Sequence, residues 1–357
     1  MKVNAGLYLR KNFPELYSHL VGMINSMRKL FTPFSIYITD SLGGSFKTYL
    51  QLEDINDKIS LLCQNLDPDS IKTVEIILQR IKYFPDENDK HRISRNLVPP
   101  GGLLPIESDA VKRIIKKELE NWKNKLRFMS DHIEESVFYY YHGLNYLPQS
   151  VSVYIRDSDF IDIGSFIGDS AIALTEYGYR KIFSIEMSPK SIEKYKENLQ
   201  LFGLASDRYQ IINAAIGATD NEQPVTLFDT GSSGLSVFRR KGKYDQFNVQ
   251  MRTIDSLCSE YDIKPKFIKV DIEGAGVEFV NGARGTLTEF RPVLSIAIYH
   301  NPYEFFEIKP LLESMLADYT FLIRKLSSGL ENNLCHSEII LLGYPKDLLI
   351  QDISITQ

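Results

Sequence analysis

Residues 131–357 predict a doubly wound α/β fold, with parallel strands joined by crossover helices. Three observations carry that prediction. Phe160 to Ile163 is an apolar run broken only by Asp162, and Gly164 and Gly168 then lead into a helical pattern near Asp169, which makes a strand, a tight turn and a helix. Lys181 to Ile185 is a second apolar strand, closed by Glu186. Further apolar runs (Gln210–Asn213, Lys266–Ile272, Val293–Tyr299, Tyr319–Lys325, Ile339–Gly343) follow, separated mostly by helical patterns and closing in a pair of strands.

At 357 residues the chain has room for two domains, and 43% apolar with 24% charged residues describes an ordinary soluble globular protein. A formal charge of -5 gives no reason to expect nucleic acid as a partner. Cys63, Cys258 and Cys335 are widely spaced with no C-x-x-C pair, and are expected as reduced thiols. No signal-peptide core follows Met1 and no run reaches the roughly 18 apolar residues of a membrane span, so a cytoplasmic protein is expected.

Residues 1–130 are expected to form a mostly helical N-terminal domain. Helical spacing recurs from Phe13 to Phe31 with Pro14 in the first turn, from about Lys47 (Leu52, Ile55, Ile59, Leu62, Leu66) and from Asp69 (Ile71, Val74, Leu78, Ile81). Ser35–Thr39 is a candidate strand. The polar stretch Pro85–Gly102 ends in Pro99-Pro100-Gly101-Gly102 and is expected as a linker or lid-like loop. Ser108 then caps an amphipathic helix striped by Val111, Ile115, Leu119, Trp122 and Leu126, whose basic face fits a solvated surface. Ser136–Leu147 is dense in aromatic residues and holds His142; it either covers a cofactor or forms a packing belt, and His142 by itself fits a packed histidine.

In an open α/β sheet, ligands bind outside the carboxyl ends of the strands, where glycine lets them approach the backbone. Gly164 and Gly168 meet that need. Phe166 stands where a dinucleotide fingerprint wants glycine, which disfavours a nicotinamide-dependent oxidoreductase and favours a cofactor without phosphates. Glu186, about 20 residues on, can accept both hydroxyls of a ribose. Asn213 and Ala214 end the third strand, where an adenine would lie. An insert, Asp229–Gln246, holds Arg239-Arg240-Lys241 and Lys243, which form either a solvated turn or a clamp for an anionic substrate such as a sugar nucleotide or phosphorylated glycan precursor.

The fourth strand breaks the apolar rule for a helix-covered sheet. Period two puts Lys269, Asp271 and Glu273 on one face, so they either pair with one another or serve a site at the strand's end. His300 follows the fifth strand at the same rim. His300, Asp271 and Glu273 are candidates for a base that takes a proton from a hydroxyl, or for holding an ion such as Mg²⁺.

Residues from about 134 to 343 resemble the FkbM family of methyltransferases. The carrying segments are 160–170, the Glu186 strand, Asn213-Ala-Ala-Ile-Gly217, Ile268-Lys-Val-Asp-Ile-Glu-Gly274, Asn281-Gly-Ala283 and Arg291 to His300. The resemblance implies the seven-stranded Rossmann-like class I methyltransferase sheet, S-adenosyl-L-methionine as cofactor, and O-methylation of a hydroxyl on a sugar, a glycan or lipopolysaccharide precursor, or a secondary metabolite. It implies Asp162, Gly164, Gly168, Asp169, Ser170 and Glu186 as cofactor residues; Ser165, within the same turn, joins them. The family often has Glu-Gly-Ala-Glu after the fourth strand, whereas this chain has Gly276 at the last position, with Glu278 as an imperfect substitute. Base or amine methylation is disfavoured because Asp271-Ile-Glu-Gly274 is not the Asn/Asp-Pro-Pro-Tyr motif that such chemistry favours. A noncatalytic interaction protein that keeps the fold is the alternative. Residues 1–130 fall outside the resemblance, leaving homodimerisation, substrate specificity or carrier docking open to them.

Overall fold

Seven strands form one sheet in the computed structural model, which describes residues 35–38, 41–82, 91–94, 101–229, 235–236, 245–328 and 337–349. They are β1 (Asp159–Ile163), β2 (Lys181–Glu186), β3 (Tyr209–Asn213), β4 (Pro265–Val270), β5 (Val293–Ala297), β6 (Tyr319–Lys325) and β7 (Ile339–Pro345). Their order is β6-β7-β5-β4-β1-β2-β3. From β3 to β5 all neighbours are parallel, and β7 runs antiparallel to both β5 and β6. The strand order reverses between β1 and β4, where a doubly wound sheet opens its binding crevice.

Alternation along each strand feeds two core layers. Ile161, Ile163, Ile268 and Val270 join one layer, while Phe160 and Phe267 point into the other. Helices cover both faces and carry their own boundary signals. Ser188 accepts from the amide of Ser191 at 3.2 Å, Pro189 opens the helix Pro189–Phe202, and Gly203, at φ 81°, ends it.

The described part of residues 41–107 packs directly on this sheet. Phe46, Tyr49, Leu62, Val74 and Ile77 belong to the same core layer as Ile161 and Ile268. The helix Pro68–Lys82 covers the edge strand β6, where the amide of Ile323 donates to Ser70 Oγ at 2.8 Å and Arg324 pairs with Asp67 at 2.7 Å. Arg80 and Glu107 form a fully buried two-pronged pair at 2.7 and 2.6 Å beside Lys325.

Several boundaries differ from the sequence expectation. The helix expected to start near Lys47 is two, Ser41–Tyr49 and Ile55–Cys63, and Leu52 sits exposed in the turn between them. The polar stretch read as a linker contains the strand His91–Ser94, paired antiparallel with Ser35–Ile38. Strand β4 ends at Val270 rather than Ile272, because Glu273 (φ 53°) and Gly274 (φ 110°) turn the chain away from the sheet. The helix at Phe13–Phe31, Cys335 and the basic run Arg239–Lys243 lie outside the described residues. Among the described residues, no helix is long and apolar enough to cross a membrane.

A polar row crosses the second layer. Ser184, Asp162, Lys269 and Ser295 are register partners on β2, β1, β4 and β5, and none is more than 5% exposed. Lys269 Nζ lies 3.0 Å from Asp162 and donates to the Gly164 carbonyl at 2.8 Å. Burial pushes the Asp162 carboxyl up while the Lys269 charge pulls it back. Removing one member of a buried pair leaves the other uncompensated. Lys269→Met is therefore expected to cost about 3–5 kcal/mol of stability in urea denaturation, with part of the loss recovered in Lys269→Met/Asp162→Leu.

Candidate active site

The turn after β1 is shaped for close approach. Gly164 holds φ 75°, and a Cβ there would lie 1.9 Å from the Asp271 carbonyl oxygen. Gly168, at φ 84°, packs beneath the turn on Tyr195 and Leu199 and opens the helix Asp169–Ala173. Both glycines are thus required by the backbone, as their spacing predicts.

Glu186 ends β2 under this turn. Its Oε2 accepts from the Phe166 amide and its Oε1 from the Ser188 amide, each at 2.8 Å. The carboxylate is buried and fixed, with lone pairs left over. Burial pushes its proton affinity up and the two amides pull it back. Asn213 does not line the cavity: its Nδ2 donates to the carbonyls of Glu186 and Met187, at 2.9 and 3.1 Å, and holds that corner in place.

These groups border a cavity of about 1250 Å³ at the carboxyl ends of the strands, larger than one small ligand needs. Gly164, Asp169, Ser170, Glu186 and Ala214 line one side, and Lys269, Asp271 and Glu273 reach it from β4 and its turn. Burial lifts the Asp169 carboxyl to about 6. Asp162, Ser165 and Gly168 lie behind the wall and support it. The structure gives Lys269 to Asp162 and the Gly164 carbonyl, not to Asp271 or Glu273 on its own segment, because Asp162 faces it in register.

His300 also sits behind the wall. Its Nε2 is 3.1 Å from Asp271 and its Nδ1 3.2 Å from Glu304, and it is 7% exposed. Although burial opposes its charge, the two carboxylates raise His300 to about 10 and hold it as an imidazolium. Asp271, though desolvated, is drawn below its usual range mainly by His300. An imidazolium has no lone pair with which to accept a proton, so of the sequence candidates only the two wall carboxylates, Asp271 and Glu273, remain available as bases.

Gly276 acquires a reason here. Its amide donates to Glu304 Oε1 at 2.8 Å, and a Cβ would lie 2.8 Å from that same oxygen. Glu304, from the helix Pro302–Met315, thus fills the space where a side chain at position 276 would start, whereas Glu278 is exposed. Asn301 completes the tie, donating to the Gly274 carbonyl at 3.0 Å and capping the amide of Glu304 at 2.9 Å. Sequence reasoning left out Glu134, Tyr299 and Glu338, which also line the cavity, and took His142 for packing. The aromatic density of residues 136–147 was the available signal for His142; nothing local marks Glu338. Among the described residues, no group of three or more metal-ligating side chains is placed to hold an ion, and Mg²⁺ finds no support.

Because the folded chain raises His300 from 6.5 to about 10, its stabilisation is complete below pH 6.5 and fades as pH rises toward 10. The loss is on the order of 1.4 kcal/mol per pH unit across that window. Denaturation of wild type and His300→Gln from pH 6 to 10 checks it, the stability gap between them being expected to narrow as pH rises.

Residues 162–326 match the family model for the Methyltransferase FkbM domain. No curated protein matches the chain. Among solved structures, the methyltransferase FkbM from Methylobacillus flagellatus KT is 18% identical, with a TM-score of 0.52 over 84% of this chain and 61% of that one. This chain thus spans about 61% of that protein's length. A precorrin-6y C5,15-methyltransferase from Geobacter metallireducens GS-15 is 13% identical over 55% of this chain and 85% of its own, with a TM-score of 0.33. An SAH-bound methyltransferase from Podospora anserina is 14% identical over 69% of this chain and 99% of its own, at 0.35. The first likeness shows a shared fold. Residues 162–326, the part of the chain that builds most of the cavity, are thus similar to the methyltransferase FkbM domain.

Proposed function

We propose that the chain is an S-adenosyl-L-methionine-dependent O-methyltransferase acting on a hydroxyl of a sugar, a glycan or lipopolysaccharide precursor, or a comparable secondary metabolite. The observation that carries this reading is an ionised, half-exposed Asp271 on the wall of a cavity whose other side is a glycine-lined cradle with an anchored carboxylate. The cradle suits this cofactor. Gly164 lines it with bare backbone, Phe166 disfavours a pyrophosphate, and Glu186 keeps lone pairs for a ribose.

When bound, the cofactor supplies a methyl group on a sulfonium. The chain's own work is to place the acceptor and manage one proton. Asp271 takes that proton from the acceptor hydroxyl, while His300 keeps Asp271 ionised and oriented. Lys269 fixes the Gly164 carbonyl and hence the cradle. Tyr299 and the segment from His132 to His142 wall off the reaction from water. A cytoplasmic setting suits the free thiols of Cys63 and Cys258.

Calorimetric titration with S-adenosylmethionine and S-adenosylhomocysteine tests the cofactor. Glu186→Ala is expected to weaken both by about 1.5–3 kcal/mol, and unchanged affinity would remove the ribose assignment. Asp271→Asn is expected to lower turnover by roughly 10²–10⁴-fold while S-adenosylhomocysteine still binds. In His300→Ala the Asp271 carboxyl loses the charge that holds it down, so the acidic limb of the pH–rate profile should move to higher pH.

A further inference from the structure

Part of the cavity is used neither by the cradle nor by Asp271. There β5, β7 and the segment ahead of β1 bring in Tyr299, Glu338, Glu134 and His142, with Glu273 beside them. Glu134 lies between the two sides, with Asp169 of the cradle as one neighbour and Glu338 as another. Glu338 and Glu273 both neighbour Tyr299, whose hydroxyl donates to Glu338 at 3.3 Å. Lys325 acts on Glu338 and the His300 imidazolium on Glu273 through space, but both are engaged elsewhere, Lys325 with Glu107 and His300 with Asp271 and Glu304, and Lys269 is committed to Asp162 and the Gly164 carbonyl. Burial lifts Glu338 to about 7 and pushes Glu273 up against the pull of the His300 imidazolium, and nearby carboxylates add to both. Carboxyls crowded in this way favour a cation, whose charge would draw both to the ionised form.

A second observation lies on the same wall. His142 is 8% exposed, and its Nε2 has no protein partner. Burial holds the ring neutral, at about 3, so it offers a hydrogen bond and no positive charge. Buried polar atoms ordinarily have a partner, and the cavity is where one would come from.

We propose that this wall selects a polyhydroxylated acceptor bearing a protonated amine, of the amino-sugar or aminocyclitol class, with Glu273 and Glu338 taking the ammonium and His142 bonding a hydroxyl. The inference rests on the methyltransferase reading for its reaction. An anionic acceptor would meet like charge here, and the basic run expected to clamp one lies outside the described residues. A neutral glycan would satisfy hydrogen bonds and leave the charge.

The test is calorimetry on the full chain saturated with S-adenosylhomocysteine, using three matched probes: glucosamine tetramer, N-acetylglucosamine tetramer and galacturonate tetramer. The amine tetramer should bind at least tenfold more tightly than the N-acetylated one, and the galacturonate should not bind. In Glu338→Gln and in Glu273→Gln the preference should fall to within about threefold, while S-adenosylhomocysteine affinity stays at the wild-type value and reports an intact cradle. Equal binding of the tetramers, tighter binding of the acid, a preference that survives both variants, or no tetramer binding by cofactor-loaded protein would each overturn the proposal. Failure of wild-type protein to bind S-adenosylhomocysteine is a different result, which sinks the methyltransferase reading itself.

Discussion

The buried pair of Lys269 and Asp162 is the constraint on which the site is built. A sheet covered by helices on both faces should be apolar throughout, and two charges within it cost several kcal/mol unless the geometry repays them. Here the geometry does more than neutralise. Lys269 reaches past Asp162 to the Gly164 carbonyl, so the ion pair between β1 and β4 also holds the turn that a ligand must approach. The row extends on both sides. Ser184 bonds the Tyr195 hydroxyl at 2.7 Å, and Ser295 donates to the His142 carbonyl at 2.6 Å, which registers the helix after β2 and the segment ahead of β1 against the same strands.

A second constraint acts at the end of β4. The chain leaves the sheet through Glu273 and Gly274 in left-handed conformations, which hold only if the surroundings determine them. Glu304 and Asn301 supply that determination, accepting from the Gly276 amide and donating to the Gly274 carbonyl. The same Glu304 carboxylate holds His300, which in turn holds Asp271. One buried acid on the helix Pro302–Met315 thus fixes both the shape of the turn and the charge state of the group that it presents.

The N-terminal helices join this scaffold from outside. Tyr49 donates to Glu307 at 2.7 Å, Lys309 to the Gln64 carbonyl at 2.6 Å, and Asp67 pairs with Arg324. The region outside the family match therefore braces the helix that carries Glu304 and closes the free edge at β6. It has a structural role in the site without contributing a side chain from residues 41–107 to the cavity wall.

The sequence by itself determined the strands, the glycine turn and the acid at the end of β2, because these depend on local conformation and period. A left-handed turn needs Gly164, and a strand buried on both faces needs Ile161, Ile163, Ile268 and Val270, whatever lies around them. It also marked Lys269 as anomalous, from its place within an apolar run. Only the tertiary structure decided the partners. That Lys269 answers Asp162 depends on the register of β4 against β1, and that His300 is an imidazolium depends on Glu304 coming from one helical turn ahead and Asp271 from the turn after β4. Glu338 had no legible signal, since its environment is assembled from β5, β7 and the segment before β1, and charge states are set by such neighbours in space rather than by neighbours in sequence.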